Sequence, residues 1–211
     1  MMAGMQNILK AISKSIGNEI TEDMDLLKVI GKVTNNKDVK SIVNSMNTNQ
    51  TISKEWLIDN LKDRIEMFDN PKICVAAGWY GNLADRLSEF TNEKVVSFDI
   101  DPKCAKIGRI MYPKVHFKTV DISKFHPGKY DIIICTSCEH ISDEILNNFL
   151  SKRNKEKCLV VLQSNNYFEL KEHINCKKSL EEFENSIKIR VLNSSEKEIN
   201  KKFNRYMLIG Y

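Results

Sequence analysis

No stretch of about 18 consecutive apolar residues occurs in the 211-residue chain, so the signature of a membrane-spanning helix is missing. The opening MMAGMQNILKAISKSIG lacks the unbroken apolar core of about 7 to 15 residues that marks a secretory leader. Neither sign of charge dominates, because 32 basic and 28 acidic residues leave a formal net charge of +4. So small an excess permits contact with nucleic acid but does not argue for it; a solvated mixed surface accounts for it. Internal repeats and low-complexity tracts are absent too. What remains is ordinary for a soluble globular chain, 42% hydrophobic and 28% charged, and long enough for one large domain or one domain with an appendage. Of the cysteines, Cys74, Cys104, Cys135, Cys138, Cys158 and Cys176, most stand in or beside apolar runs, where a thiol acts as a small hydrophobe. That usage fits a reducing compartment, and the expectation is a cytoplasmic protein with no membrane partner.

Residues 1–70 read as a helical region. Ile8, Ile12 and Ile16 recur at spacing four, followed by Leu26, Leu27, Val29, Ile30 and Val33, then by Val39, Ile42, Val43 and Met46. Thr21 precedes two acids, and Thr51 or Ser53 precedes Trp56, Leu57, Leu61 and Ile65; a hydroxyl there can accept from the free amides of a helix start. Asp69-Asn70-Pro71 closes the region, since proline disfavours helical geometry in the residue before it. Residues 71–211 differ in character. Apolar runs of strand length at 73–77, 95–98, 115–120, 132–135 and 159–162 alternate with helical patterns. Such alternation predicts an α/β, Rossmann-like domain: a mostly parallel sheet of about seven strands with helices on both faces. At its end a helix over 179–186, a strand over 187–192, a polar turn NSSEKEINKK and a strand over 206–209 are expected, the last two strands antiparallel.

The first run leads into Ala76-Ala77-Gly78-Trp79-Tyr80-Gly81, which places two glycines where a strand turns into a helix. In a parallel sheet that edge is where ligands bind, and glycine lets the backbone approach them closely. About 20 residues on, the second run ends in Phe98-Asp99-Ile100-Asp101-Pro102, and an acid there can accept both hydroxyls of a ribose. Asp101, just before Pro102, reads equally as a helix cap. The third run ends in Val120-Asp121-Ile122 and the fourth in Cys135-Thr136-Ser137-Cys138-Glu139-His140-Ile141.

Together these pieces resemble the class I S-adenosylmethionine-dependent methyltransferases, over about 140 residues. The "E-H-I" after the fourth strand is similar to the ending found in many small-molecule members. GWYG with TSCEH, LQSNNY and RYMLIGY is also similar to small methyltransferase-like proteins of phages. The resemblance implies S-adenosylmethionine as cofactor. Its methionine part would face the loop of Gly78, Trp79, Tyr80 and Gly81, beside Thr136 and Ser137; its ribose would be held by Asp99 next to Ile100, and its adenine by Asp121 with Ile122. The family's acid before the loop is replaced here by Val75-Ala76-Ala77, and its three glycines at alternate positions are reduced to Gly78 and Gly81.

Methyl transfer to an oxygen or nitrogen acceptor needs alignment and removal of a proton. His140 is the expected base, because imidazole ordinarily titrates near neutral pH, with Glu139 orienting it; both could instead simply start a helix. Asn165, Asn166 and Tyr167 are expected to form a substrate lip beside the fifth strand. No metal is expected: the Cys135/Cys138 spacing with His140 would need further ligands, for which only His173 and Cys176 offer themselves. A small-molecule acceptor is the expected partner. A nicotinamide-dependent oxidoreductase would share strand, loop and acid, but a GxGxxG fingerprint is absent. A non-catalytic methyltransferase-like module is the alternative of another kind, with Lys152–Lys157 and Lys197–Lys202 as contacts for nucleic acid.

Overall fold

A computed structural model describes residues 36–211. The periodic residues Ile8 to Val33, and the helix start expected at Thr21, lie outside the described residues. Two helices come first, α1 (Asn36–Ser45) and α2 (Thr48–Ile65). The helix expected to start at Thr51 or Ser53 starts earlier, because the Asn47 side chain accepts from the Gln50 amide at 3.0 Å and caps it. Thr51 and Ser53 fall inside it, and the Ser53 hydroxyl is spent on the Gln163 side chain.

The sheet follows. Its elements are β1 (Ile73–Ala76), α3 (Asn82–Leu87), β2 (Val96–Asp99), α4 (Pro102–Met111), β3 (His116–Thr119), β4 (Ile132–Cys135), α5 (Asp143–Ser151), β5 (Leu159–Asn165), α6 (Leu180–Ser186), β6 (Val191–Asn200) and β7 (Phe203–Gly210). The seven strands take the order β3-β2-β1-β4-β5-β7-β6. The first five are parallel, and β7 runs antiparallel between β5 and β6. This is the expected Rossmann-like, mostly parallel sheet.

The order reverses between β2-β1 and β4, and Ala76 pairs with both Phe98 and Cys135, so these strands end on one edge. A crevice opens at such a reversal because the flanking connections depart to opposite faces. Period-two alternation sorts the strand residues. Ile73, Val75, Ile132 and Ile134 share a core with Ile42, Leu57, Leu61 and Ile65 of the first two helices and with α3 and α4. Cys74, Ala76, Ile133 and Cys135 face the opposite core, with Phe98, Phe149 and Phe183. The described part of the helical N-terminal region therefore packs into the same core as the strands.

Two expectations near the end of the chain are corrected, and the first is the strand over 187–192, which begins only at Val191. NSSEKEINKK is not a turn: all but its last two residues belong to β6, and only Lys201-Lys202 turn the chain into β7. β6 pairs on one side only, so its exposed positions carry polar side chains without the apolar alternation that reveals a strand.

Candidate active site

The chain after β1 turns on residues of unusual geometry. Positive φ occurs at Ala77 (48°), Trp79 (51°) and Gly81 (91°), three alternate positions of which only the last is glycine. Gly78 has another reason to be glycine, since a Cβ there would lie 2.2 Å from the Ser97 hydroxyl. Holding a β-carbon in the left-handed region costs roughly 1 to 2 kcal/mol per residue, and such strain gathers at ligand sites. The loop is fastened from several sides. The Gly78 amide donates to the Phe98 carbonyl at 3.0 Å, and the Trp79 amide to Asp99 Oδ2 at 3.1 Å. The Tyr80 ring stacks on Trp79, and its hydroxyl meets Ser41 of α1 at 2.9 Å.

Asp99, half-buried at the end of β2, accepts from Trp79 with one carboxylate oxygen and from the Asp101 amide with the other at 3.1 Å. Each oxygen keeps a lone pair for a further donor. Asp101 caps α4 by accepting from the Lys103 amide at 2.8 Å, with Pro102 in the first turn, which is the helix-cap role its sequence position allows. Ile100 between them is 67% exposed and lines the crevice, an apolar surface left for a ligand to cover. After β3, Asp121 accepts from the Ser123 amide at 2.8 Å, and that bond holds its carboxyl below the ordinary range.

Across the crevice stand Thr136, Ser137, Glu139 and His140 after β4, and Asn165 and Tyr167 at the end of β5. Glu139 is buried and its Oε1 faces Arg205 Nη1 of β7 at 3.5 Å, while its Oε2 has no partner. Arg205 also donates to the Gln163 side chain and to the Thr136 carbonyl. His140 is exposed, with Nδ1 2.9 Å from the Glu172 carbonyl. A carbonyl only accepts, so Nδ1 carries a proton, and in the neutral ring the lone pair sits on Nε2. Asn165 is buried and spends its side-chain oxygen on the Tyr167 amide and the Cys176 thiol.

One cavity of about 970 Å³ gathers these groups. Of the residues singled out in the sequence, Gly78, Trp79, Tyr80, Gly81, Asp99, Ile100, Asp121, Ile122, Thr136, Ser137, Glu139, His140, Asn165 and Tyr167 all line it. Asn166 does not; its backbone and side chain tie the end of β5 to Asn204 of β7.

The chain matches no known protein-family profile and no curated protein. Its structure is similar to magnesium protoporphyrin IX methyltransferase from Synechocystis PCC 6803 with bound SAH, at TM-score 0.58 and 13% identity over 94% of this chain and 91% of that one. It is also similar to an S-adenosylmethionine-dependent methyltransferase from Clostridium acetobutylicum, at TM-score 0.54 and 14% identity over 74% and 89% of the two chains. The cyclase SpnF gives TM-score 0.60 and 11% identity over 76% and 80%. The chain has the fold of the class I S-adenosylmethionine-dependent methyltransferases.

Within this methyltransferase fold the cavity has a wall that no motif announced. Ser41 and Asn44 of α1, Lys54 of α2 and Asn47 between the two helices line it. Lys54 Nζ donates to the Ser45 carbonyl at 2.8 Å, and burial, with Arg86 and Arg205 nearby, lowers its pKa to about 7. Arg205 is the other group missed. It lies just before the strand expected over 206–209, and nothing local shows that its guanidinium crosses to the end of β4. The Cys135/Cys138 pair is fully inside the core, with the Cys138 thiol donating to the Cys135 carbonyl at 3.6 Å, and neither thiol lines the cavity.

Proposed function

We propose that the chain is an S-adenosylmethionine-dependent methyltransferase acting on a small-molecule acceptor. The observation that carries this reading is the loop after β1, left-handed at Ala77, Trp79 and Gly81, docked by hydrogen bond onto the Asp99 carboxylate. The altered glycines therefore keep a loop shape that glycines would give, which weighs against a scaffold with a decayed site. A nicotinamide cofactor is disfavoured because Trp79 occupies the close approach that a pyrophosphate needs.

The residues present fit the cofactor. Asp99 keeps lone pairs for two ribose hydroxyls, Ile100 and Ile122 offer apolar contact to a flat base, and the ionised Asp121 can accept from an exocyclic amine. Thr136, Ser137 and the buried amine of Lys54 would receive the amino-acid end, the lysine facing its carboxylate. When bound, S-adenosylmethionine supplies a sulfonium methyl whose C–S bond breaks with the electron pair staying on sulfur. The chain's task is to hold an acceptor lone pair in line with that carbon and to take up the acceptor's proton. Nε2 of His140 would take it, and Tyr167 and Asn165, which line the same cavity, would bound the acceptor.

A thermal melt tests the reading. Ligand at about a hundred times its dissociation constant adds roughly 2.7 kcal/mol, which for a chain of this size raises the midpoint by about 5 to 10 °C. S-adenosylmethionine and its demethylated product should both give that rise and NAD none; a response to NAD alone refutes it. Incubation of labelled cofactor with a metabolite pool, and in parallel with nucleic acid, identifies the acceptor by which species gains the label.

A further inference from the structure

Glu139, His140 and His173 each present a ligand atom within 4.8 Å of the others, on the acceptor side of the cavity. His173 comes from the loop after β5, which is pinned against the β4 end. The Asn175 amide donates to the Glu139 carbonyl at 2.9 Å, the Asn175 side chain to the Ile141 carbonyl at 2.7 Å, and the buried Lys177 amine to Asp143 at 2.6 Å. The two imidazoles, their planes at 84° to each other, are held in the same way at Nδ1. Nδ1 of His140 faces the Glu172 carbonyl and Nδ1 of His173 the Tyr167 carbonyl at 2.7 Å, so both neutral rings offer Nε2 as the free donor atom. A backbone carbonyl on the far nitrogen is the usual way a ligating histidine is fixed. Glu139 supplies the independent observation: it is 4% exposed, and its Oε2 has no hydrogen-bond partner. A buried carboxylate oxygen left bare beside two lone pairs is costly unless something positive binds there.

We propose that Glu139, His140 and His173 form a binding site for one divalent first-row transition-metal ion, with the remaining coordination positions open to the cavity. Two imidazoles and one carboxylate suit zinc, iron, cobalt or nickel better than calcium or magnesium, which prefer oxygen alone. A tetrahedral ion about 2.1 Å from each ligand would draw the three to roughly 3.4 Å of one another, a small closure for the exposed His140 ring. Arg205 stays on Oε1 and leaves Oε2 for the ion. The site stands whether or not the chain transfers methyl groups; only its use, to hold an acceptor's oxygen and release that oxygen's proton to water, rests on the methyltransferase reading. In that use His140 is a ligand, and its role as base falls away.

The test uses untagged full-length protein stripped with a chelator and titrated with cobalt(II) and zinc. One ion per chain is expected, with the visible absorption of cobalt bound to nitrogen and oxygen and no thiolate charge-transfer band. His140→Ala and His173→Ala should each weaken binding by more than about a hundredfold, since even outer-shell partners of such ions are worth about 10- to 100-fold. Glu139→Gln should do the same; because it disturbs a buried pair, its fold is checked by melting, and the half-buried His173 carries the test alone if it fails. Cys138→Ala should bind as the parent does. No stoichiometric binding, binding that survives loss of His173, or binding lost with Cys138 overturns the site. S-adenosylmethionine binding is followed in the same samples: ion without cofactor refutes the methyltransferase reading and keeps the site, and cofactor without ion does the reverse.

Discussion

The two halves of the cavity are built in different ways. The half proposed for the cofactor comes from consecutive strand ends, with Asp99 the last residue of β2 and Gly78 to Gly81 and Asp121 in the turns after β1 and β3, and hydrogen bonds run between backbone amides and carboxylates. The half proposed for the acceptor is put together from distant segments: Glu139 and His140 after β4, His173 from the loop after β5 and Arg205 from β7. Its contacts join buried charged side chains. Backbone geometry repeated at strand ends tolerates change of side chain, as Ala77 and Trp79 show. Buried charges do not, because each depends on its partner's presence.

The contrast predicts that single changes cost most in the acceptor half. Arg205→Ala leaves Glu139 buried without its cation, and the expected loss is about 3 to 5 kcal/mol of stability by denaturant melting. A loss below about 1 kcal/mol would mean that Glu139 is satisfied in some other way, and the contrast would fail. Next comes Asp99→Ala, which should weaken S-adenosylmethionine binding by roughly tenfold or more in calorimetry, by removing charge-assisted hydrogen bonds. Asp101→Ala, a helix cap, should leave affinity nearly intact and lower stability by about 0.5 to 2 kcal/mol. The reverse pattern would exchange their roles.

Lys54 gives a pH signature. Its pKa is lowered to about 7 in the folded chain from 10.5, so between those values the unfolded chain binds more protons and stability rises with pH. Its contribution between about pH 7 and 8.5 is roughly 1 to 2 kcal/mol, and Lys54→Met should flatten that rise. Buried thiols, whose pKa burial raises, work in the opposite sense toward the upper end of that window, so the Lys54 contribution is read as the difference between the parent and Lys54→Met profiles. A profile unchanged by the substitution would show that the amine is hydrated. The smallest effect belongs to the loop: Ala77→Gly should stabilise by about 0.5 to 1 kcal/mol, because glycine relieves the left-handed strain there. Destabilisation instead would show that the Ala77 methyl packs well enough to outweigh that strain.

Most of the sheet was legible in the sequence. Ile73 to Ala76 and Ile132 to Cys135 are continuous apolar runs because both faces of a central parallel strand are covered, and that pattern survives in one dimension. β5 was read short, since its last residues, Gln163, Ser164 and Asn165, are polar; they are buried because β7 and α2 cover them. β6 was read as a turn for the opposite reason, that an edge strand faces water and shows no apolar alternation.

The sequence by itself determined the αβ alternation, the switch-point loop and the acids after strands two and three, because each is encoded within a few residues by strand-length apolar runs and turn chemistry. The left-handed geometry at Ala77 and Trp79 was decided only in three dimensions, since neither residue favours it alone and the docking onto Phe98 and Asp99 enforces it. The same is true of the acceptor half. Glu139, His173 and Arg205 line one cavity only when the β4 end, the loop after β5 and β7 are folded together, and groups that far apart in the chain leave no local pattern to read.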